Sequence, residues 1–197
     1  MINALVTAFS GPGAPFMYAI TAVGAFSLTV GLERFWMLVI RWKINAVKLF
    51  DALEVGTETE ILACVQHSPL HTMLSAGTRG ETTEERWRAM GSEAGWVEHT
   101  LSRRVGALAS AGNIATMLGL LGTVYGLIVA FGGMTDTATA TRAVQISEGI
   151  ASAMSTTAWG LIVGIASLTL HAFIEGQVRS MLALGETAAA RMVRTRS

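Results

Sequence analysis

The sequence predicts an all-α integral membrane protein with three transmembrane helices and a cytoplasmic helical extension. Of its 197 residues 51% are hydrophobic and only 14% are charged, and the mean hydropathy is +0.49. A soluble domain carries about 25% charged residues. The charges are also unevenly placed, because three long stretches contain none. Each stretch reaches the roughly 20 apolar residues that a bilayer span requires.

The first uncharged stretch extends as far as Leu32. Pro12 and Pro15 interrupt its beginning, and proline is tolerated in the first turn of a helix but not in its interior. We therefore expect a periplasmic or interfacial segment over 1–14 and a transmembrane helix over 15–40. A cleavable signal peptide needs a basic start. No Lys or Arg precedes the apolar stretch, so we expect this helix to remain as an anchor.

Residues 41–104 contain many of the charges and are expected to form a cytoplasmic helical region. Gly56 and Pro69 separate short segments within it, as turn residues do. The sequence Thr82-Thr83-Glu84-Glu85 is typical of a helix N-terminus, where acidic groups are favourably placed. Because no proline follows before the second uncharged stretch, we expect a single long helix to continue from there into the membrane.

The remaining sequence predicts two further spans joined by a short loop. The second uncharged stretch ends before Asp136 and predicts a transmembrane helix over 105–134. A periplasmic loop of Thr, Asp and Ala residues is expected over 135–146, too short to form a domain. The third span is predicted over 147–175, followed by a cytoplasmic tail over 176–197.

The basic residues predict the orientation. Lys and Arg accumulate on the cytoplasmic side of short loops. Arg142 is the one basic residue in the predicted loop between the second and third spans; the others lie beside or within the segment between the first two spans, or after the third. The N-terminus is therefore expected outside and the C-terminus inside. The single cysteine, Cys64, excludes an intramolecular disulfide, and a net charge of zero gives no indication of nucleic-acid binding.

Small and hydroxyl side chains recur along one face of the second and third spans. Spacings of three and four residues place them in one stripe per helix. Such stripes let helix backbones approach closely, and their hydroxyls could also line a polar passage; both interpretations remain open. The stripes are Thr116, Gly119, Thr123, Gly126, Ala130 and Gly133 in the second span, and Gly149, Ala153, Thr157, Gly160, Gly164, Ser167 and His171 in the third.

Hydroxyls are the main polar groups that these stripes offer at mid-membrane depth. A threonine in a helix can satisfy its hydroxyl on the carbonyl four residues earlier, so a single one does not require a pore. The third span, however, carries hydroxyls that point in several directions, which one packing seam does not explain. The candidate residues of an ion pathway are Thr116, Thr123, Ser152, Ser155, Thr156 and Thr157.

Charged candidates lie only at the ends of the spans. Glu148 is at the predicted outer mouth of the third span, where a carboxylate could attract cations. His171 and Glu175 mark a possible cytoplasmic exit, where a histidine could relay a proton; side chains at this depth also commonly just reach interfacial water. No acid lies at mid-membrane depth. A partner helix must therefore supply the titratable group that proton conduction requires.

Neither an enzyme nor a metal site is predicted. His67 and His71 have a spacing that suits a metal on a helix, but Pro69 lies between them and no third ligand is evident. The glycine-rich residues 119–123 lack the lysine of a phosphate-binding loop. We find no nucleophile paired with a base. We therefore expect no catalysis and no cofactor.

Two motifs resemble the paired signature of the ExbB/TolQ/MotA proton-channel family. They are GLLGTVYG at 119–126 and AMSTTAWGL at 153–161. The likeness covers most of the chain, extending to residues 33–34, 68–70, 101–105 and 149–151. With three spans and a modest cytoplasmic part, the chain is more similar to ExbB and TolQ than to the four-span MotA.

The resemblance implies a homopentamer in the bacterial inner membrane, with the second and third spans around a central pore. It implies a partner, an ExbD/TolR-like subunit with one span and a membrane Asp that takes up and releases the translocated proton. Thr123 and Thr157 match the pore threonines that face this Asp. Relatives commonly have Pro where this chain has Thr116 and Glu where it has Ser152; whether Glu148 replaces that glutamate stays open.

The implied function is that of a proton-channel stator subunit that couples proton-motive force to movement of an envelope-spanning effector protein. Outer-membrane import, envelope constriction and gliding motility are the candidate processes. Two alternatives remain. Threonine hydroxyls also ligate Na⁺, so a sodium-driven stator of the same architecture is one, and a non-conducting membrane scaffold is the other.

Overall fold

The computed structural model of the chain describes residues 9–42, 44, 46–55, 57–132 and 139–194. These residues form seven α-helices and one π-helical turn. They are α1 (Ala14–Phe35), the π-helical turn Trp36–Arg41, α2 (Ala46–Val55), α3 (Glu58–Val65), α4 (Leu70–Gly77), α5 (Thr83–Ser102), α6 (Val105–Gly132) and α7 (Thr139–Arg194).

The predicted all-α class is confirmed for the described residues. Three helical stretches are long and apolar enough to cross a membrane: Ala14–Leu38, Thr83–Gly132 and Ile146–Arg194. The chain divides into two compact units. The bundle unit comprises Met1–Gly31 and Gly106–His171, and the extension unit comprises Leu32–Val105 and Ala172–Ser197.

In the bundle unit, α1 packs on α6 and α7. Pro15 follows the first residue of α1, where backbone N–H groups have no helical acceptor and a missing donor costs nothing. Met17 and Ile20 of α1 are completely buried. A Cβ atom on Gly24 would lie 3.0 Å from the side chain of Val163, so α1 and α7 are in close contact at this point.

The extension unit is a set of amphipathic helices with well-formed N-termini. Thr57 and Thr82 start α3 and α5 with capping boxes. In the second box, the Glu85 N–H donates to the Thr82 hydroxyl over 3.2 Å, and the Thr82 N–H donates back to the Glu85 carboxylate over 3.3 Å. The core of the unit contains Leu49, Leu53, Ile61, Val65, Leu70, Leu74, Met90, Val97, Leu101, Val178, Met181 and Met192.

Arg86 joins three parts of the extension unit. Its guanidinium forms an ion pair with Glu58 at the start of α3 and donates to the carbonyl of Met192 near the end of α7 over 3.1 Å. It also donates to the Gly80 carbonyl before α5 over 3.3 Å. The Arg86 side chain is only 4% exposed, so these contacts supply the hydrogen bonds that burial would otherwise remove.

The predicted single helix from the extension into the second span is wrong. α5 ends at Ser102, and α6 begins only at Val105. Between them Arg103 has an extended ψ of 130° and Arg104 a left-handed φ of 64°. This φ is unusual for a residue other than glycine. The Arg104 guanidinium lies 2.9 and 3.0 Å from the two carboxylate oxygens of Glu33, a long-range contact that local composition does not reveal.

The structure adds helix to the segments predicted as a loop and a tail. Residues 139–146, expected in the loop, form the first turns of α7. Residues 176–194, expected as a tail, continue the same helix. The continuation is stabilised because Val178, Met181 and Met192 are buried in the extension unit. Residues 135–138 of the predicted loop, and residues 1–8 and 195–197 at the termini, lie outside the described residues.

Replacing Arg86 by Gln is expected to open the extension unit locally, because Glu58 loses its buried partner. Breaking a buried ion pair costs about 3 kcal/mol. Cys64, half-buried in α3, is the only cysteine and reports this opening. Maleimide labelling of Cys64 should accelerate by about tenfold or more in the Arg86→Gln protein. Arg88→Gln removes the exposed pair with Glu84 and should leave the labelling rate within about twofold.

Candidate functional site

The stripes of small residues on α6 and α7 pack against each other in the bundle unit. A Cβ atom on Gly160 would lie 2.7 Å from the carbonyl oxygen of Ala115 and 2.8 Å from the Cα of Gly119. Backbone atoms cannot rotate away, so glycine is what permits this approach. Gly126 meets Ala153 along the same line, with a Cβ distance of 2.8 Å. We call this line of contact the seam.

Thr123 and Thr157 meet within the seam and form what we call the threonine pair. The Thr123 hydroxyl is 3.1 Å from the carbonyl oxygen of Gly119, on its own helix. The Thr157 hydroxyl reaches across from α7 to the same oxygen over 3.0 Å. The two hydroxyls are also in hydrogen-bonding contact with each other. Three oxygen atoms from two helices therefore converge.

The two hydroxyls of the threonine pair have fewer protons to donate than there are oxygen–oxygen contacts among them and the Gly119 carbonyl. Each hydroxyl carries one proton and two acceptor lone pairs, and three oxygen–oxygen contacts share these two protons. In any arrangement, lone pairs remain to accept a hydrogen bond or to ligate a cation. Both threonines are half-buried, so the cluster is not sealed inside the protomer. It can exchange hydrogen bonds with a group that approaches from outside.

Thr116 lies farther along the seam. Its hydroxyl donates to the carbonyl of Gly112 over 3.0 Å. A Cβ atom on Gly164 would collide with this hydroxyl, so Thr116 faces α7 at close range. The structure thus places Thr116, Thr123 and Thr157 on one line.

The other three hydroxyl candidates are not hydrogen-bonded to the threonine pair, although the Thr156 hydroxyl packs against Gly122 of α6. Thr156 is completely buried and donates to a carbonyl of its own helix over 2.7 Å. Its methyl group and the Ser152 hydroxyl face Gly13, at the start of α1. The Ser152 hydroxyl is buried and has no hydrogen-bond partner among the described residues. Ser155 donates to its own helix over 2.8 Å. These three residues share a helix with Thr157 but not its contacts.

The charged candidates lie at a distance from the threonine pair. Glu148 is exposed, and at about 1.5 Å per residue it lies about 14 Å from Thr157 along α7. His171 is half-buried at the end of the bundle unit. Glu175 belongs to the extension unit and pairs with Arg179 over 2.7 Å. The structure therefore brings none of them to the seam near Thr157.

Two features of the site were not predicted from the sequence. The Gly119 carbonyl, which accepts from both threonines, is a backbone group that no motif marks as polar. The indole N–H of Trp159 donates to the Thr21 hydroxyl on α1 over 3.0 Å. The signal in the sequence was a tryptophan two residues after Thr157, near several hydroxyl residues, because an indole N–H is a donor that hydroxyl oxygens can accept.

Three membrane-length helices, two of them joined by a seam that holds a hydroxyl cluster, define a multi-pass membrane protein. Residues 63–187 match the MotA/TolQ/ExbB proton channel family. This match covers α4 to α6 and most of α7, including the whole threonine pair. The chain belongs to this family, and the resemblance that its motifs predicted is confirmed.

Several bacterial relatives carry the name biopolymer transport protein ExbB. The protein from Salmonella typhimurium is 33% identical over 166 residues, which are 76% of this chain and 66% of the relative. The one from Pseudomonas putida is 33% identical over 134 residues, 64% of this chain and 40% of the relative. The protein from Aquifex aeolicus is 35% identical over 91 residues, which are 44% of this chain and 57% of the relative. The chain thus spans only part of the length of these relatives.

Replacing Gly160 by Ala is expected to destabilise the bundle, because the new Cβ atom would collide with two backbone atoms of α6. Overpacking of this kind costs about 1–3 kcal/mol. Gly176→Ala is the matched control, since nothing lies within 4 Å of its Cβ position; it should be neutral or stabilise α7 by up to about 1 kcal/mol. Thermal unfolding of the full chain in one detergent, followed by circular dichroism, compares the two. Equal melting temperatures would contradict the close contact of α6 and α7 at Gly160.

Proposed function

We propose that this chain is the channel-forming stator subunit of a proton-driven motor in the bacterial inner membrane. Its second and third spans would line an ion pathway in a homo-oligomer, a pentamer by family resemblance. An ExbD/TolR-like subunit would complete the pathway, and the motor would act on an envelope-spanning effector. Membership of the MotA/TolQ/ExbB family supports the proposal, and the threonine pair is the observation that carries it.

The distribution of charge supports the need for a partner. The sequence has no Asp, Glu, Lys or Arg between Arg104 and Asp136 or between Glu148 and Glu175. A threonine hydroxyl neither gains nor loses a proton near neutral pH, so conduction through these spans requires a carboxyl group from another chain. A single-span subunit with a membrane Asp meets this requirement.

The chemistry of the threonine pair suits both protonation states of such a carboxyl group. A hydroxyl can donate to the carboxylate and can accept from the protonated acid. Because it carries no charge, it does not hold the carboxyl group in the ionised form as an arginine would. The proton can therefore bind and leave at modest cost. An arginine in the same place would trap one state.

The exposure around the threonine pair suits an oligomeric wall. Leu120 on α6 is 63% exposed and Met154 on α7 is 66% exposed, so both lie on a surface that a lone protomer leaves open. In the proposed assembly, neighbouring subunits and the partner helix cover this surface. The half-buried hydroxyls of Thr123 and Thr157 then face the enclosed path.

Replacing Thr157 by Val tests the proposal, because valine keeps the shape and removes the hydroxyl. Losing a hydrogen bond to a charged group costs about 1.5–3 kcal/mol. Proton flux should therefore fall by about tenfold or more when the full chain and its partner are reconstituted in vesicles containing a pH-sensitive dye. Thr123→Val should behave alike.

Thr29→Val is the matched control, because Thr29 is a threonine of α1 whose hydroxyl also bonds to the carbonyl four residues earlier. Flux and assembly should stay as in the unchanged protein. A motor that retains its full proton flux and work output after both Thr123→Val and Thr157→Val would favour the non-conducting scaffold and refute the proposal.

Exchange of the bath cation separates the proton-driven motor from the sodium-driven alternative. The threonine pair and the Gly119 carbonyl offer oxygen atoms that could also ligate Na⁺. If protons are the coupling ion, replacing Na⁺ by choline at constant pH should leave the flux unchanged, while collapse of the pH gradient and membrane potential should abolish it. Flux that follows the Na⁺ gradient would overturn the choice of ion but not the stator architecture.

A further inference from the structure

Three arginines converge at one end of the first span. Arg34 lies in the last turn of α1, while Arg103 and Arg104 form the break between α5 and α6; we call these residues the arginine cluster. The Arg34 guanidinium interacts electrostatically with both of the other arginines and with Glu33. With one glutamate for three arginines, the group has a positive net charge.

Glu33 is shared between Arg34 and Arg104. Both of its carboxylate oxygens lie within 3.0 Å of Arg104 Nη1, so it is engaged by another member of the cluster. Arg34 itself is only 4% exposed. Its Nε–H is buried and has no acceptor among the described residues. A buried guanidinium with an unsatisfied donor is unfavourable unless an anion completes its hydrogen bonds.

The backbone adds to the positive potential. Arg104 immediately precedes α6, a helix of 28 residues, and the N-terminal end of a helix carries partial positive charge that favours anions. The left-handed φ of Arg104 fixes the direction of the chain at this point. Guanidinium groups match phosphate oxygens in geometry and charge. The expected ligand is therefore a phosphate group.

Apolar side chains next to the cluster indicate which molecule carries the phosphate. Leu32, Phe35 and Trp36 flank Arg34 in the sequence and are 58%, 37% and 54% exposed. Tryptophan is typical of the level of lipid headgroups at the end of a span. A ligand that offers both a phosphate and a hydrocarbon chain fits this arrangement, whereas free phosphate would leave the apolar side chains uncovered.

We propose that Arg34, Arg103 and Arg104 bind the phosphate of an anionic phospholipid whose acyl chains cover Leu32, Phe35 and Trp36. Arg103 and Arg104 are exposed and can reach the phosphate, whose negative charge also balances that of the buried Arg34. This role concerns the contact between the subunit and the lipids of the bilayer. It does not depend on ion conduction.

Native mass spectrometry of the full chain in neutral detergent tests the proposal. Phosphatidylglycerol and phosphatidylcholine are titrated separately, and inorganic phosphate is added as a competitor. Removing one charge-assisted contact in Arg34→Gln should weaken phosphatidylglycerol binding about tenfold. Arg103→Gln, a change in an exposed side chain, should weaken it in the same direction. Arg88→Gln, which removes an exposed arginine in α5, should leave the binding unchanged.

Each other result overturns the assignment. Affinity within twofold of the unchanged protein in both Arg34→Gln and Arg103→Gln would show that the cluster is not the site. Equal binding of phosphatidylcholine would show that the site does not select an anionic lipid. Competition by inorganic phosphate at the concentration of the lipid would show that the acyl chains contribute nothing. If Arg34→Gln does not fold, as judged by circular dichroism, Arg103→Gln alone decides.

Discussion

The close contact of α6 with α7 at Gly119 and Gly160 is the constraint on which the rest of the site depends. Without side chains at these positions, the two backbones come near enough for the Thr157 hydroxyl to reach a carbonyl on the other helix. A larger residue would separate the helices and leave each threonine bonded only within its own helix. The two interpretations of the small-residue stripes are therefore not exclusive, because packing is what brings the hydroxyls together.

The charged residues of this chain lie outside the uncharged stretches that form the seam. Two long-range ion pairs lie in the extension unit, Arg86 with Glu58 and Arg104 with Glu33. The spans contain none at depth. This separation is what the cost of burying an ion demands. In the function proposed above, a second polypeptide brings the titratable group that these spans lack.

The structure also divides the six hydroxyl candidates by the contacts that they make. Six hydroxyl residues were candidates from the sequence, and three of them, Thr116, Thr123 and Thr157, lie on the seam. Ser152 and Thr156 are buried toward the start of α1. Ser152 occupies a position where relatives were expected to have a glutamate, and a serine with its small volume fits beside Gly13.

The sequence by itself determined the helical class and the three spans, because hydropathy and helical spacing are local properties. The motifs at 119–126 and 153–161 are also local, and they were enough to predict the family and to select Thr123 and Thr157 as candidates. Tertiary structure alone decided three things. It ended α5 at Ser102 through a left-handed Arg104 whose side chain pairs with the distant Glu33, and it extended α7 to Arg194 by burying Met192 in the extension unit. It also selected which hydroxyls meet. Each of these depends on contacts between residues far apart in the chain, whose free energy no short window of sequence contains.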